Sequence, residues 1–499
     1  MTALLTILLS FAGAAVCGLM RPRDHRQIRW VALGTSIAGL AVALFCWQRY
    51  EAEGGIADLV DIPWIPEMGV SFLTGYDGIS LPLLLVTGLV AVCGVLFTWD
   101  LKERANEFYA YFLTLIGGVY GVFLSLDLFL LFVFYEIAVV PKYFLIANWG
   151  GERREFAAMK LVLYSFAGSA LVLLGLLAVY FAAGVESFSL VDLGHLTERE
   201  RFTPGFQAIV FPILFVGFAI LAGMWPFHTW APTGHVAAPT AASMLLAGVV
   251  MKLGAYGCLR VAVGLLPAGA QVWAPLIAVV AIVNIGYGAL VALRQNDFKY
   301  VIGYSSVSHM GFVLLGIATL HEVGMTGAVL QMFSHGVIGA VLFAMVGTVI
   351  YSRTRSRKLD EFNGLIDRMP GIAWVFVIAG LASMGLPGFS GFISELYVLI
   401  GVWKSDYLTG HKGWVLVGAG LGILLTFGYT LVKIHEAFFG VRHPDGNGAP
   451  LKPYKPMTTP EIIGCAILLG ASLLIGLFPQ LLTGVIGPSV EIIINRLPG

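Results

Sequence analysis

The stretch Leu221–Lys252, LAGMWPFHTWAPTGHVAAPTAASMLLAGVVMK, decides the fold. An apolar helical run gives way to a segment holding Pro226, Pro232 and Pro239 together with His228 and His235. A second apolar run follows, with Lys252 in its middle. In water this would be an odd loop; in a bilayer it reads as a broken helix beside a buried charge. Irregular backbone at membrane depth survives only where protein or a water-filled cavity satisfies its polar groups. A charge at that depth is costly and points to a binding or conduction path.

The remaining sequence fits a membrane setting. The 499 residues are 58% hydrophobic and 12% charged, with mean hydropathy +0.87, where soluble domains carry about 25% charged residues. Apolar runs long enough for roughly 30 Å of hydrocarbon predict fourteen spans, near 3–20, 30–48, 77–98, 108–125, 128–148, 157–183, 206–225, 238–264, 272–293, 299–318, 325–350, 371–402, 413–438 and 459–484. The fold class is therefore an all-α polytopic membrane protein, with short polar links and no soluble domain. Basic and acidic residues balance at 29 each, so no nucleic-acid footprint appears. The five cysteines are scattered, without the spacing of a zinc, haem or iron–sulfur site. No glycine-rich nucleotide loop is present either, so no cofactor is expected in this chain. The N-terminal apolar run has its arginines after it rather than before it, which favours a retained first helix over a cleaved signal.

Basic residues set the expected orientation. Arg21, Arg23, Arg26 and Arg29 follow span 1, and Arg153 and Arg154 follow span 5. Arg353, Arg355, Arg357, Lys358 and Arg368 follow span 11, and Arg442, Lys452 and Lys455 precede span 14. With fourteen spans all four groups share one side, which predicts a prokaryotic plasma-membrane protein with both termini on the non-cytoplasmic side.

Span 7 is interrupted at Met224–His228 and span 12 at Gly385–Gly391. Five spans separate the two, and an odd number makes repeated five-helix units inverted. Paired broken helices mark a transport pathway, although proline and glycine are also simply commoner in membrane helices. The expected domains are 1–107, an N-terminal three-helix region; 108–265 and 266–440, the two repeats (spans 4–8 and 9–13); and 441–499, the C-terminal link and last helix.

The candidate relay residues are Glu136, Lys142, His228, Lys252, His309, His335, Glu395 and Lys433. Burial disfavours the charged forms of lysine and carboxylate, which brings both into proton exchange near neutral pH. Bland readings stand beside this one. Lys142 and Lys433 could snorkel to an interface, and a membrane histidine can serve only to bond a backbone carbonyl. Glu136, Lys252 and Glu395 sit too deep in their spans for snorkelling.

Five stretches carry a family resemblance: Tyr135–Gly151 (YEIAVVPKYFLIANWGG), Pro226–Gly257, Asp297–Ile317 (DFKYVIGYSSVSHMGFVLLGI), Leu330–Phe343 (LQMFSHGVIGAVLF) and Met384–Gly401 (MGLPGFSGFISELYVLIG). The chain resembles the antiporter-like membrane subunits of proton-translocating NADH:quinone oxidoreductase (respiratory complex I), in particular the subunit M, or chain 4, branch. The resemblance implies a proton-translocating subunit driven by quinone reduction elsewhere in the complex. NADH, FMN, iron–sulfur clusters and quinone would then sit in partner subunits. It implies L-like and N-like antiporter subunits, and the lateral helix of the L-like subunit, as membrane partners. It makes Glu136 the span-5 glutamate, Lys252 the central span-8 lysine and Glu395 the glutamate ending the channel, with His309 and His335 on the central polar axis. One position departs from the pattern. The family lysine just before the first break, partner of the span-5 glutamate, is Leu221 here. Lys142, about 120° round a helix and 9 Å along it from Glu136, is the candidate replacement. Competing readings are an Mrp-type cation/proton antiporter subunit, a subunit of a membrane-bound hydrogenase or ferredoxin-driven pump, and a scaffold whose channel has died.

Overall fold

The computed structural model describes residues 1–51, 54–362, 364–439 and 453–498. Arg442, Lys452 and the expected 440/441 boundary lie outside the described residues. Helices α1 (Leu4–Leu19) and α2 (His25–Arg49) lead to an antiparallel hairpin, β1 (Ala57–Ile65) and β2 (Val70–Tyr76), then to α3 (Ser80–Phe97) and α4 (Ala105–Leu124). The fifth crossing is divided at Ala138 into α5 (Leu128–Ile137) and α6 (Val139–Trp149). Pro141 explains the division, because it offers no N–H to the Ile137 carbonyl and its ring crowds that oxygen. After α7 (Arg154–Ala183) comes α8 (Leu190–Glu198) in the link, then the broken seventh crossing, α9 (Pro204–Ala222) and α10 (Trp230–Ala237). The eighth crossing joins α11 (Thr240–Leu245), a π-turn at Leu246–Val250, α12 (Met251–Gly257) and a second π-turn at Cys258–Val263. Helices α13 (Pro267–Arg294), α14 (Phe298–Ala318) and α15 (Glu322–Ala344) follow, and a π-turn at Met345–Ile350 carries α15 into α16 (Tyr351–Thr354). Past α17 (Leu365–Arg368), the twelfth crossing is broken into α18 (Pro370–Ser383) and α19 (Ser390–Lys404). The chain ends with α20 (Lys412–Ile434), α21 (Thr459–Leu477) and α22 (Gln480–Ile494).

Among the described residues, twelve helical stretches are long and apolar enough to cross a membrane. With α1 and the α18–α19 pair they account for the fourteen predicted spans. The membrane region is all helical, as expected. The link after α2 instead forms a hairpin, since its β-branched and aromatic residues alternate around a Pro66–Gly69 turn. One boundary is corrected. Span 14 ends at Leu477 rather than near 484, because Pro479 bars Phe478 from helical backbone. The apolar residues beyond form α22, which lies along one face of the bundle.

Hydrogen bonds between links confirm that the crossings alternate. On one face Arg29 donates to the Trp99 carbonyl (2.8 Å) and Trp149 to that of Glu103 (3.0 Å). There too the Gly151 N–H reaches the Ala237 carbonyl (2.8 Å), and Arg357 reaches Val236 (3.2 Å). Arg353 pairs with Glu461 on the same face (2.9 Å). This is the face of the arginine-rich links. On the other, the N-terminal amine meets Asp58 and the Leu190 N–H reaches the Leu126 carbonyl (2.7 Å). Ser405 donates to the Thr319 carbonyl (2.6 Å), and Arg496 pairs with Glu198 (3.0 Å). Both termini therefore lie on the face opposite the basic links.

The inverted repeat is visible in its details. Asp127 caps α5 and forms a bridge with Ser189 on one face; Asp297 caps α14 and forms a bridge with Lys358 on the other. The two aspartates open spans 5 and 10, five crossings apart and oppositely oriented. Crossings 3, 8, 10 and 11 are buried on nearly all sides, whereas α2, α7, α20 and α21 turn broad surfaces outward.

Candidate functional site

The first break must satisfy its exposed backbone, and Asn284 of α13 does so. Its amide nitrogen donates to the carbonyls of Gly223 (3.2 Å) and Val307 (3.0 Å), while its oxygen accepts from the Trp225 N–H. Trp230 adds a bond from its indole to the Ile220 carbonyl (2.8 Å). Asn284 is fully buried, and each backbone group it leaves unpaired would cost about 1–3 kcal/mol. Asn284→Leu should therefore lower the amount of folded subunit recovered from membranes, in a detergent thermal-stability assay, by several degrees relative to the parent. An unchanged melting curve would contradict this role.

Beyond the break, Gly248 and Gly336 bring the eighth crossing and α15 together. A Cβ at Gly336 would lie 2.8 Å from the Gly248 carbonyl oxygen, so only glycine allows this approach. The π-turn at Leu246–Val250 adds a residue to the helical turn and re-aims the side chains after it, as such bulges do at functional sites. Lys252 thereby points inward, fully buried; its amine donates to the Ala247 carbonyl and lies 2.6 Å from His335 Nδ1. Among the described residues no carboxylate comes within ion-pair distance of it.

From His335 the polar line runs on into the second repeat. The rings of His335 and His309 are 5.5 Å apart between centroids. His309 Nδ1 stands 3.4 Å from Glu395 Oε1 and the same distance from Gln331 Nε2, and its Nε2 is 3.4 Å from the Ser383 hydroxyl. Gln331 accepts in turn from Ser394. A small cavity of about 10 Å³, space for about one water molecule, lies among these groups, walled by the hydroxyls of Ser305, Ser306, Ser334 and Ser383. The second break positions Glu395: at Gly385 (φ +76°) a Cβ would sit 3.0 Å from Glu395 Oε2. Alanine there would adopt left-handed backbone at about 1–2 kcal/mol and press on the carboxylate. Gly385→Ala should reduce proton movement through this chain severalfold in reconstituted vesicles, and parental flux would exclude the positioning role.

The other candidates fall into separate clusters. Lys433 pairs with Glu436 (2.9 Å) near the basic face and lines a second cavity with Tyr429. The Tyr429 hydroxyl donates to Ser305 (2.7 Å), which also lines the central cavity. Lys433 thus has both an interfacial partner and a polar connection inward. His228 is buried at the break with neither ring nitrogen hydrogen-bonded, its ring edge-on to Tyr287 (5.0 Å). His235, fully buried, stacks on Phe343 (4.8 Å) and also lacks ring partners. Glu136 and Lys142 form a third cluster. Lys142 is 1% exposed, and its amine and Glu136 Oε1 both lack hydrogen-bond partners. Each lies within electrostatic reach of the other, although they sit on different helices, α5 and α6, rather than on the single helix expected. Leu221 is buried among apolar side chains.

Two residues escaped the sequence reading. Asn284 sits unmarked inside the apolar run of α13, and no local pattern distinguishes it. Lys299 lies within the quoted DFKYVIGYSS stretch, at the edge of a span, and is not among the candidate residues. The structure buries it to 4% exposure.

Residues 125–423 match the family described as NADH:quinone oxidoreductase/Mrp antiporter, TM. The chain belongs to this family. Its relatives include NAD(P)H-quinone oxidoreductase chain 4 of Synechococcus elongatus, 37% identical over 96% of this chain and 89% of that one. NADH-quinone oxidoreductase subunit M of Rhodobacter capsulatus is 37% identical over 98% and 95% respectively. Among solved structures, a chain of respiratory complex I from Thermus thermophilus with bound NADH superposes with TM-score 0.89 at 27% identity, covering both chains fully. A chain of the Mrp complex of Dietzia sp. shares the fold (TM-score 0.86, 21% identity, 100% and 99% covered).

Proposed function

We propose that this chain is the proton-translocating membrane subunit of a complex I-type NADH:quinone oxidoreductase, moving protons through a buried relay coupled to quinone reduction in partner subunits. The observation that carries the reading is the connected line Lys252–His335–His309–Glu395, which spans both repeats at membrane depth. Its groups run from base through two imidazoles to acid, and the hydroxyl-walled cavity has room for about one bridging water molecule. Among the described residues no cluster suits a metal ion; NADH, FMN, iron–sulfur clusters and quinone belong to the partner subunits in this reading. Those partners are L-like and N-like antiporter subunits, with the lateral helix of the former along this chain. The arginine-rich face is cytoplasmic and both termini are outside, in a prokaryotic plasma membrane. Residues 108–265 and 266–440 act as the two half-channels, between the flanking regions 1–107 and 441–499.

Within the relay, Glu136 and Lys142 form the charge pair that switches the first half-channel, Lys142 standing in for the cation missing at Leu221. His228 lies beside that half-channel, and Lys433 feeds the central cavity through Tyr429 and Ser305. The shared fold with an Mrp complex favours a second reading, a cation/proton antiporter subunit. The relatives at 37% identity, named for NAD(P)H- and NADH-quinone oxidoreductases, favour the first. The test is purification of the chain from native membranes. Co-purification with flavin and iron–sulfur subunits, and proton uptake into proteoliposomes on NADH addition, are expected. Sodium-dependent proton exchange by a complex lacking redox subunits would overturn the reading.

A further inference from the structure

We infer that Lys299 is the proton inlet of this chain, joining a vestibule on the basic face to His235 and Lys252; the inference rests on the relay reading above. The vestibule has a volume of about 470 Å³, and its lining includes Thr240, Asp297, Lys299, Arg355 and Arg357. Lys299 forms part of that lining while its amine turns inward. It is set on the first turn of α14, where Asp297 accepts from its N–H (2.7 Å). The amine donates to the Ala238 carbonyl (2.8 Å) and reaches the Ser243 hydroxyl (3.4 Å). Ser243 passes the contact on, donating to the His235 carbonyl (2.8 Å). The His235 ring, with both nitrogens unpartnered, stands within electrostatic reach of Lys299 and Lys252 alike. Vestibule, Lys299, His235 and Lys252 thus follow one another from the basic face to the membrane centre.

The bland role for Lys299 is to cap the carbonyl left free at the Ala238–Pro239 bend. A neutral donor would do that without burying a charge, whose transfer from water is costly unless it is paired. The nearest carboxylate, Asp297, is taken by Arg357 (3.3 Å). The fold also makes room for this lysine. A Cβ at Gly347, in the π-turn at Met345–Ile350, would lie 3.2 Å from Lys299 Cε and 2.7 Å from Thr240 Oγ1. An amine that accepts a proton from vestibule water, forming an N–H bond, and releases it inward, breaking one, explains why a lysine occupies this slot.

The test measures protons moved per NADH oxidised by the whole reconstituted complex carrying Lys299→Gln, Lys299→Arg, Lys252→Met, or Lys299→Gln with Lys252→Met. Glutamine and arginine both keep a donor for Ala238 and Ser243, but neither exchanges a proton readily. Both are expected to fall to the stoichiometry of Lys252→Met, and the double variant to fall no further. Parental stoichiometry in Lys299→Gln beside a loss in Lys252→Met overturns the inlet and leaves the relay standing. Parental stoichiometry in both overturns the relay reading and the inlet with it. A second arm avoids any folding defect: Thr240→Cys is assembled, shown to pump, and then blocked with a bulky thiol reagent. The five native cysteines of this chain are all buried, and the parental complex treated with the same reagent is the control. Loss of pumping confined to Thr240→Cys therefore supports the inlet, and unaltered pumping by fully modified Thr240→Cys complex counts against it.

Discussion

Lys252→Met is expected to cut proton flow through this chain by about 100-fold or more, the scale on which a positioned acid–base group contributes, while leaving the subunit in the membrane. Lys252 is fully buried, and its amine is the only group that joins the Ala247 turn to His335 Nδ1 among the described residues. Methionine matches its length and fills its space, so the packing between the eighth crossing and α15 persists. The lost hydrogen bonds cost about 1–3 kcal/mol, offset by no longer burying a charge that lacks a carboxylate partner. Assembly should therefore stay near the parental level while proton uptake per NADH falls. Uptake at the parental ratio, with the variant shown to be present in stoichiometric amount, would remove Lys252 from the path. Glu395→Gln at the far end should behave alike, since it keeps the contact to His309 (3.4 Å) but offers no site to receive the proton.

The second large effect concerns Glu136 and Lys142. Removing one member of a fully buried ionic pair costs about 3–5 kcal/mol, whereas removing both is much milder. With Glu136 half-buried and not within ion-pair distance of Lys142, the cost here falls below that range. If the two charges answer each other, Glu136→Gln and Lys142→Ala should each lower both the yield of folded subunit and the coupling of NADH oxidation to pumping. Glu136→Gln combined with Lys142→Met should recover most of the yield without recovering the pumping. The cycle of single and double variants isolates the interaction from the general cost of each change. Pumping that survives Lys142→Ala but not Glu136→Gln would mean that Lys142 does not replace the cation absent at Leu221.

Much of this was legible in the sequence because hydropathy is a local property. Span lengths, the breaks at Met224–His228 and Gly385–Gly391, and the arginine-rich links follow from composition over windows of about 20 residues. The breaks and the alternation of faces appear in the structure where they were expected. The deep charges were legible for a related reason, since a lysine or glutamate inside an apolar run stands out whatever its surroundings. Less visible was the direction in which a side chain points. A helix facing lipid and a helix buried in protein are equally apolar, so no stripe distinguishes α7, with its broad outward surface, from the wholly buried eighth crossing. The six-residue spacing placed Glu136 and Lys142 about 120° apart on one continuous helix, and the division at Ala138 changed that geometry. Phe478–Pro479 turned the tail of the expected last span into α22, lying along the face opposite the basic links.

By itself, then, the sequence determined a fourteen-span membrane protein with two inverted repeats, two broken helices and an inventory of buried ionisable groups. Its motifs also marked the family. Only the tertiary structure decided which of those groups meet. It ordered Lys252, His335, His309 and Glu395, which come from three crossings and a broken helix, into one line. It showed that Asn284 satisfies the first break and that Lys299, at the edge of its span, is buried. The physical reason is that these contacts depend on close backbone approach, as at Gly248 and Gly336, and on π-turns that rotate a helix partway along its length. Both are products of packing between crossings far apart in the chain, which no local window of sequence contains.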